Sequence, residues 1–424
     1  MHIYIKKNNL VFTLLSIYML TKMLWDKLVP NVLEVFSLCA VCYGIFMYFK
    51  SSHLRKKDLY LLLLFVIFAV YVLIDAFIKD NNQQFFRAVY EYIFYTMMMF
   101  GASYYLRKVD TGRFLKIINV LGIVIVVLSW YEYLTKSYLI GSFSGTTILY
   151  VNNSAFRAAV FSRSYLSHGV VVGFFSLISH YLFLKERKKS YFIQTIITYL
   201  TILTTSSRGP LVATGGAILL IYVINQYRES NRIDKKVLTW CTLFLIAMLI
   251  FFFLTSTFTT GNQTIDYFLY RMRKIIDWTG DAGNVGRIKL WNNALEWFKT
   301  DRLFGIGPSK TGSWGSGSLG VTESGLLKRL CEFGIVGFSI YYFMVVTIIK
   351  NGVINYKKAN KENKLIFILF FGVLAMVMIN DVTLQSTEEI MVTFIYMIAL
   401  GGMNTRISDT DNLEQETTSG SNLK

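Results

Sequence analysis

Residues 59–78 read LYLLLLFVIFAVYVLIDAFI, a run with one charge, and Arg55-Lys56-Lys57 stands just before it. A helix rises about 1.5 Å per residue, so this block spans the roughly 30 Å hydrocarbon core of a bilayer. Its acidic residue, Asp75, lies in the last turn. Working outward, comparable apolar blocks fall near 10–28, 32–49, 88–106, 114–134, 165–184, 191–205, 209–225, 237–255, 331–349, 365–380 and 387–403. The pattern predicts an all-α polytopic membrane protein with about twelve transmembrane helices.

Composition points the same way. Of 424 residues, 54% are apolar and 16% charged, and the mean hydropathy is +0.45. A soluble domain carries about 25% charged residues, so this chain could not cover a water-facing surface. Three prolines suit long helices. Cys39, Cys42, Cys241 and Cys331 lie in or beside apolar blocks, so neither a disulfide framework nor a zinc cluster is expected. Lys6-Lys7 precedes the first block and Trp25-Asp26-Lys27 ends it without a small-residue cleavage site, so the first span is expected to be retained.

Lys and Arg resist translocation and so orient the spans. With the N-terminus in the cytoplasm, inner segments hold 25 of the 43 Lys and Arg residues, and 10 of the others sit in one long outer segment. The net charge of +17 follows from this topology and calls for no nucleic acid as partner. The expected organisation is five spans in 1–134, an outer loop at 135–164, spans six to nine in 165–255, a large extracytoplasmic loop at 256–330, three spans in 331–403 and a polar cytoplasmic tail at 404–424. A loop as long as 256–330 is usually functional.

Chemistry-bearing residues gather in these outer segments. Ser206-Ser207-Arg208-Gly209-Pro210 opens an apolar block, and a helix N-terminus there, with Arg208 and a serine cap, suits phosphate. Further on, Val285, Ile288, Trp291, Leu295 and Phe298 recur at helical spacing. They predict an amphipathic helix lying apolar face down on the membrane, with Arg287 beside the stripe. Leu303-Phe304-Gly305-Ile306-Gly307-Pro308 follows, then a glycine-rich run from Ser309 to Gly320. No strand precedes this run and no Lys-Ser/Thr closes it, so it is not a nucleotide loop. Trp278, Trp291, Trp297 and Trp314 fall in the same segment, where indole faces suit sugar rings or the membrane interface. Glu323, at the next span's start, offers a general base, with Thr322 as the expected cap. The plainer alternatives are arginines that snorkel to headgroups and a carboxylate that serves the helix dipole. His168 stands alone and no Asp/His cluster has ligand spacing, so no metal or other cofactor is expected.

In this order, Ser-Ser-Arg-Gly at 206–209, Gly-Arg-x-x-x-Trp at 286–291, Phe-Gly-Ile-Gly-Pro at 304–308 and Glu-Ser-x-Leu-Leu…Glu-Phe-Gly at 323–334 resemble motifs of the O-antigen ligase/polymerase family. The resemblance covers best about 160–345. It implies a GT-C-type glycosyltransferase that takes a glycan from undecaprenyl pyrophosphate at the periplasmic face of a bacterial inner membrane. Arg208 and Arg287, with Ser207, match the positions that hold the pyrophosphate. The family's ligases place a histidine base where Glu323 stands here, which favours a Wzy-like O-antigen or capsular polymerase over a ligase. Arg157, Arg163 and Arg271 are the candidates for a second lipid carrier, and Trp291 and Trp314 for sugar stacking. The implied partners are lipid-linked oligosaccharide donor and acceptor, membrane lipid and a chain-length regulator protein. A lipid-linked oligosaccharide flippase, the rival of another class, would need charged residues lining a cavity within its spans. Here Glu34, Asp75, Glu91, Glu132 and Asp381 lie near span ends or alone.

Overall fold

The computed structural model describes residues 7–28, 32–50, 56–80, 82–139, 156–162, 164–230, 282–312 and 319–405, with isolated positions 239, 261 and 266. The described chain is all-α. In order, it forms α1 (Lys7–Leu20), α2 (Lys22–Leu28), α3 (Val32–Lys50), α4 (Lys56–Lys79) and α5 (Asn82–Ala88). A π-helical turn, Val89–Phe94, then leads into α6 (Tyr95–Lys108) and α7 (Thr111–Thr135). Next come α8 (Tyr165–Glu186), α9 (Lys189–Thr201), α10 (Arg208–Ser230) and α11 (Ala282–Thr300). The chain finishes with α12 (Gly325–Lys358), α13 (Lys361–Thr383) and α14 (Ile390–Asn404).

Side-chain caps start several of these helices. Asp110 accepts from Arg113 N (3.1 Å), Ser164 from Leu166 N (3.1 Å) and Asn360 from Asn363 N (2.8 Å).

Among the described residues, seven helices are long and apolar enough to cross a membrane: α3, α4, α7, α8, α10, α12 and α13. Twelve had been expected, and the differences have local causes. The first block breaks at Thr21 into α1 and α2, and the block at 88–106 carries the π turn. α9 gives way to a 3₁₀ turn at Ile202–Thr205. The 237–255 block lies outside the described residues apart from Thr239.

α8 and α14 form the centre. Every residue of α14 after Ile390 is buried, and α8 is nearly so. A helix surrounded by others need not match the bilayer's thickness, which lets α14 be short. α6 approaches it closely, because a Cβ on Gly401 would stand 2.6 Å from Met99 O. At the rim, α4 exposes Leu59, Leu63, Val66, Val70, Ile74 and Phe77. Apolar residues at that spacing on an outward face mark a surface that meets lipid.

The charges expected near span ends or alone all have partners. Glu34 pairs with Lys22, Asp75 with Lys79, Glu91 with Arg87 and Lys328, and Asp381 with Arg329. Glu132 accepts the backbone N–H groups of Leu139, Ala159 and Val160 at 2.9–3.1 Å.

Candidate functional site

The chain reaches α12 through a hairpin-like base, with Leu319 N donating to Lys310 O (2.8 Å) and Gly312 N to Gly320 O (2.9 Å). Ser324, not Thr322, caps α12 by accepting from Leu327 N at 3.3 Å. The helix starts later than expected because Glu323 takes a left-handed backbone, φ 51°, and only then does Ser324 extend into a cap position. Thr322 is drawn sideways, its N–H donating to Gln385 Oε1 at 3.1 Å. A non-glycine residue held left-handed costs about 1–3 kcal/mol, and such strain clusters at functional sites.

α11 answers this turn with two side chains one helical turn apart. Arg287 Nε lies 3.6 Å from Glu323 Oε2, and Trp291 Nε1 donates to Glu323 O at 3.4 Å. Arg287 and Glu323 side chains stay 24% and 29% exposed, so both are open to solvent. The face of α11 turned inward runs Arg287, Trp291, Ala294, Phe298, while Val285 and Leu295 are exposed. Ile288, Trp291 and Phe298, three of the apolar stripe read in the sequence, are part-buried. Glu323 supplies a partner that lets Arg287 turn in, and Ala294, 1% exposed, lets α11 close on its neighbour.

The second helix N-terminus is built differently. The 3₁₀ turn ends at Ser206, also left-handed with φ 49°. Ser207 is buried and tied into this turn, its N–H donating to Thr205 Oγ1 and its hydroxyl to Thr205 O, both at 3.2 Å. Arg208 then opens α10 and is half-buried. Ala158 N donates to Thr204 O at 3.1 Å, which brings the Arg157 segment against the same turn. Arg157 is buried, with its guanidinium 4.2 Å from the centre of the Tyr165 ring. Arg163, Arg271 and Trp314 lie outside the described residues.

The last turn of α13 joins the two N-termini. A Cβ on Gly209 would stand 3.3 Å from Asn380 Oδ1, and one on Gly325 would collide with the Asp381 carboxylate. Asp381 forms a buried ion pair with Arg329, whose Nη2 also donates to Thr387 Oγ1 at 2.8 Å. Arg329 lies 5.1 Å from the Tyr341 ring centre. In a straight helix residues 329 and 341 would be about 18 Å apart along the axis. They meet because Gly334, at φ 59° and ψ −169°, breaks α12.

The sequence reading missed the residues that hold this architecture. Glu332 is fully buried and accepts from Tyr92 OH, Ser309 N (3.1 Å), Thr311 N (2.8 Å) and Thr311 Oγ1 (2.7 Å). One helical turn earlier, Lys328 pairs with Glu91 and Glu388 and donates to Thr311 O at 3.2 Å. Gly305 and Gly334 interlock, since a Cβ on Gly305 would lie 2.3 Å from Glu332 O and one on Gly334 2.4 Å from Leu303 O. The two glycine motifs therefore clamp one another. Their signal in the sequence was the paired motifs themselves, but their partners Arg87, Glu91 and Tyr92 lie more than 200 positions away.

The clamp is anchored at its rim as well. Asp301 accepts from Phe304 N (3.0 Å), which holds its carboxyl below the usual range, and pairs with Lys79 at 3.2 Å. Asp80, buried beside Lys310 at 3.4 Å, has its pKa pushed up to about 6 by burial.

These features define a class: a multi-pass α-helical membrane protein with an accessible arginine–carboxylate pair at one helix N-terminus and an arginine at another. Residues 193–342 match the family model described as O-antigen ligase, and the chain carries an O-antigen ligase/polymerase domain over that stretch. All four sequence motifs fall within it. No curated protein matches the chain.

Proposed function

We propose that the protein is a polysaccharide polymerase that joins undecaprenyl-pyrophosphate-linked repeat units at the outer face of a bacterial cytoplasmic membrane. The observation that carries this reading is the Arg287–Glu323 pair within a domain of the O-antigen ligase/polymerase family. At 3.6 Å the pair is looser than a hydrogen bond, so an incoming hydroxyl or phosphate oxygen can take the place between them.

In the reaction, Arg208 and Arg287 bind the donor's pyrophosphate and stabilise the charge it gains on leaving. Glu323 takes the proton from a hydroxyl on the acceptor unit's terminal sugar. That oxygen attacks the donor's anomeric carbon. The carbon–oxygen bond to the pyrophosphate breaks as the glycosidic bond forms, and the carrier departs with both phosphates. Trp291 supplies an indole face for a sugar ring. Donor and acceptor are both lipid-linked oligosaccharides, and a chain-length regulator protein is the further partner.

A carboxylate at 323, where the family's ligases place histidine, favours polymerase over ligase. Gel profiles of surface polysaccharide from a deletion strain test this. Loss of the ladder with a single-repeat band left, unrescued by Arg208→Ala or Arg287→Ala, is the expected result. Free long polymer on the carrier would instead mark a ligase, and a normal ladder from Arg287→Ala would sink the pyrophosphate assignment.

A further inference from the structure

α13 ends at Thr383, and Leu384 runs extended into a 3₁₀ turn at Ser386–Glu388. Three side chains of this short connection hold the start of α12 at three places. Gln385 takes Thr322, Thr387 takes Arg329 at 2.8 Å, and Glu388 takes Lys328. Thr387 and Glu388 thereby fix the first turns of the helix. Gln385 reaches further back, to the residue before Glu323.

The Gln385 amide is used at both ends. Its Nε2 donates to the Glu388 carboxylate, so Oε1 is the end turned to Thr322. That oxygen accepts from Thr322 N at 3.1 Å and lies 2.9 Å from the Thr322 hydroxyl. The same hydroxyl lies 2.7 Å from Ser324 O, so it bridges from the residue before Glu323 to the residue after. Thr322 and Ser324 are both buried, away from water that could replace these partners. The left-handed backbone of Glu323 is thus anchored through Thr322 to Gln385.

We infer that Gln385 is a positioning residue for the proposed reaction, holding the strained turn that presents the Glu323 carboxylate to Arg287. The inference rests on the functional reading above and adds a residue that itself touches no substrate. A left-handed non-glycine residue persists only while its surroundings restrain it. Displacing a reacting group by about 1 Å can cost about 10²-fold in rate. Gln385 therefore sets how often the carboxylate is in place.

The test uses the full-length protein in proteoliposomes with a lipid-linked repeat unit as substrate. Gln385→Met removes both polar ends at similar size, whereas Gln385→Glu keeps an acceptor for Thr322 and loses the donor to Glu388. In Gln385→Met, kcat should fall by about ten-fold, the equivalent of one hydrogen bond, with KM unchanged. Gln385→Glu should recover most of that loss. In the Glu323→Gln background, Gln385→Met should lower the remaining rate by less than about two-fold, because both residues act through one group. Amide hydrogen exchange of peptides covering 319–327 reports the turn without turnover. It should quicken in Gln385→Met and stay as in the wild type in Gln385→Glu. Unchanged exchange in Gln385→Met, or an undiminished loss in the Glu323→Gln background, would overturn the positioning role. So would a Gln385→Glu variant as slow as Gln385→Met. Those outcomes leave the functional reading standing. Glu323→Gln at the wild-type rate removes that reading, and the positioning role with it.

Discussion

Glu323 and Glu332 stand nine positions apart around the start of α12, within one sequence motif, and their surroundings are opposite. Glu332 is 0% exposed and accepts four hydrogen bonds, two of them from backbone N–H groups of the glycine-rich loop. Glu323 is part-exposed, left-handed, and faced by one arginine at 3.6 Å. A carboxylate whose lone pairs are all engaged cannot accept a substrate's proton. One held in strain beside a loosely placed cation can. The difference divides the motif into a sealed clamp and an open end.

The strongest way to break this division is to remove the clamp. Glu332→Ala strips partners from Tyr92, Ser309, Thr311 and Lys328 together. Removing one member of a buried charge network costs about 3–5 kcal/mol, a large share of the roughly 5–15 kcal/mol that holds a domain. The variant is expected not to accumulate in membranes, as read by immunoblot and size-exclusion chromatography in detergent. Normal yield with a normal polysaccharide ladder would show that the clamp holds nothing.

Glu323→Gln should behave in the contrary way. A general base contributes about 10²–10⁴-fold, so polymer formation by the reconstituted variant should fall by at least about 10²-fold. Yield and thermal midpoint should stay as in the wild type. Retained turnover would move the base away from residue 323.

Glu323→Gly sharpens the point further. Glycine accepts φ 51° without strain, so this variant should melt about a degree or two higher than the wild type. It should also lose polymer formation. A drop in melting temperature would mean that Glu323 is a structural residue like Glu332.

The smallest effect concerns Asp80, at the clamp's rim. Its folded-state pKa of about 6 lies above the ordinary carboxylate value, so the folded chain binds this proton before the unfolded chain does as pH falls. Stability from this group is therefore greatest below the ordinary value and declines as pH rises towards about 6. The difference in melting temperature between wild type and Asp80→Asn should shift against the wild type by about a degree over that window. A flat difference would show that Asp80 does not titrate there.

The helical membrane class was legible in the sequence, because long apolar runs have few physical alternatives in water or in lipid. The residues at 208, 287, 291 and 323 were legible too, as charged or amphipathic groups beside predicted helix starts. Two features read less clearly. Hydrophobic periodicity marked the apolar stripe of α11 but carries no information on the carboxylate partner that Arg287 finds. The glycine motifs of the clamp were visible, but not the distant partners that Glu332 and Lys328 find.

The division between sequence and tertiary structure follows from range. Local composition decides which segments become helices, since hydrophobic length, caps and glycines act over a few residues. Only the tertiary structure decided which of two glutamates is sealed and which is open. That choice depends on Arg87, Glu91 and Tyr92 from one end of the chain and Glu388 from the other. Buried charges need partners in space, whatever their separation along the chain.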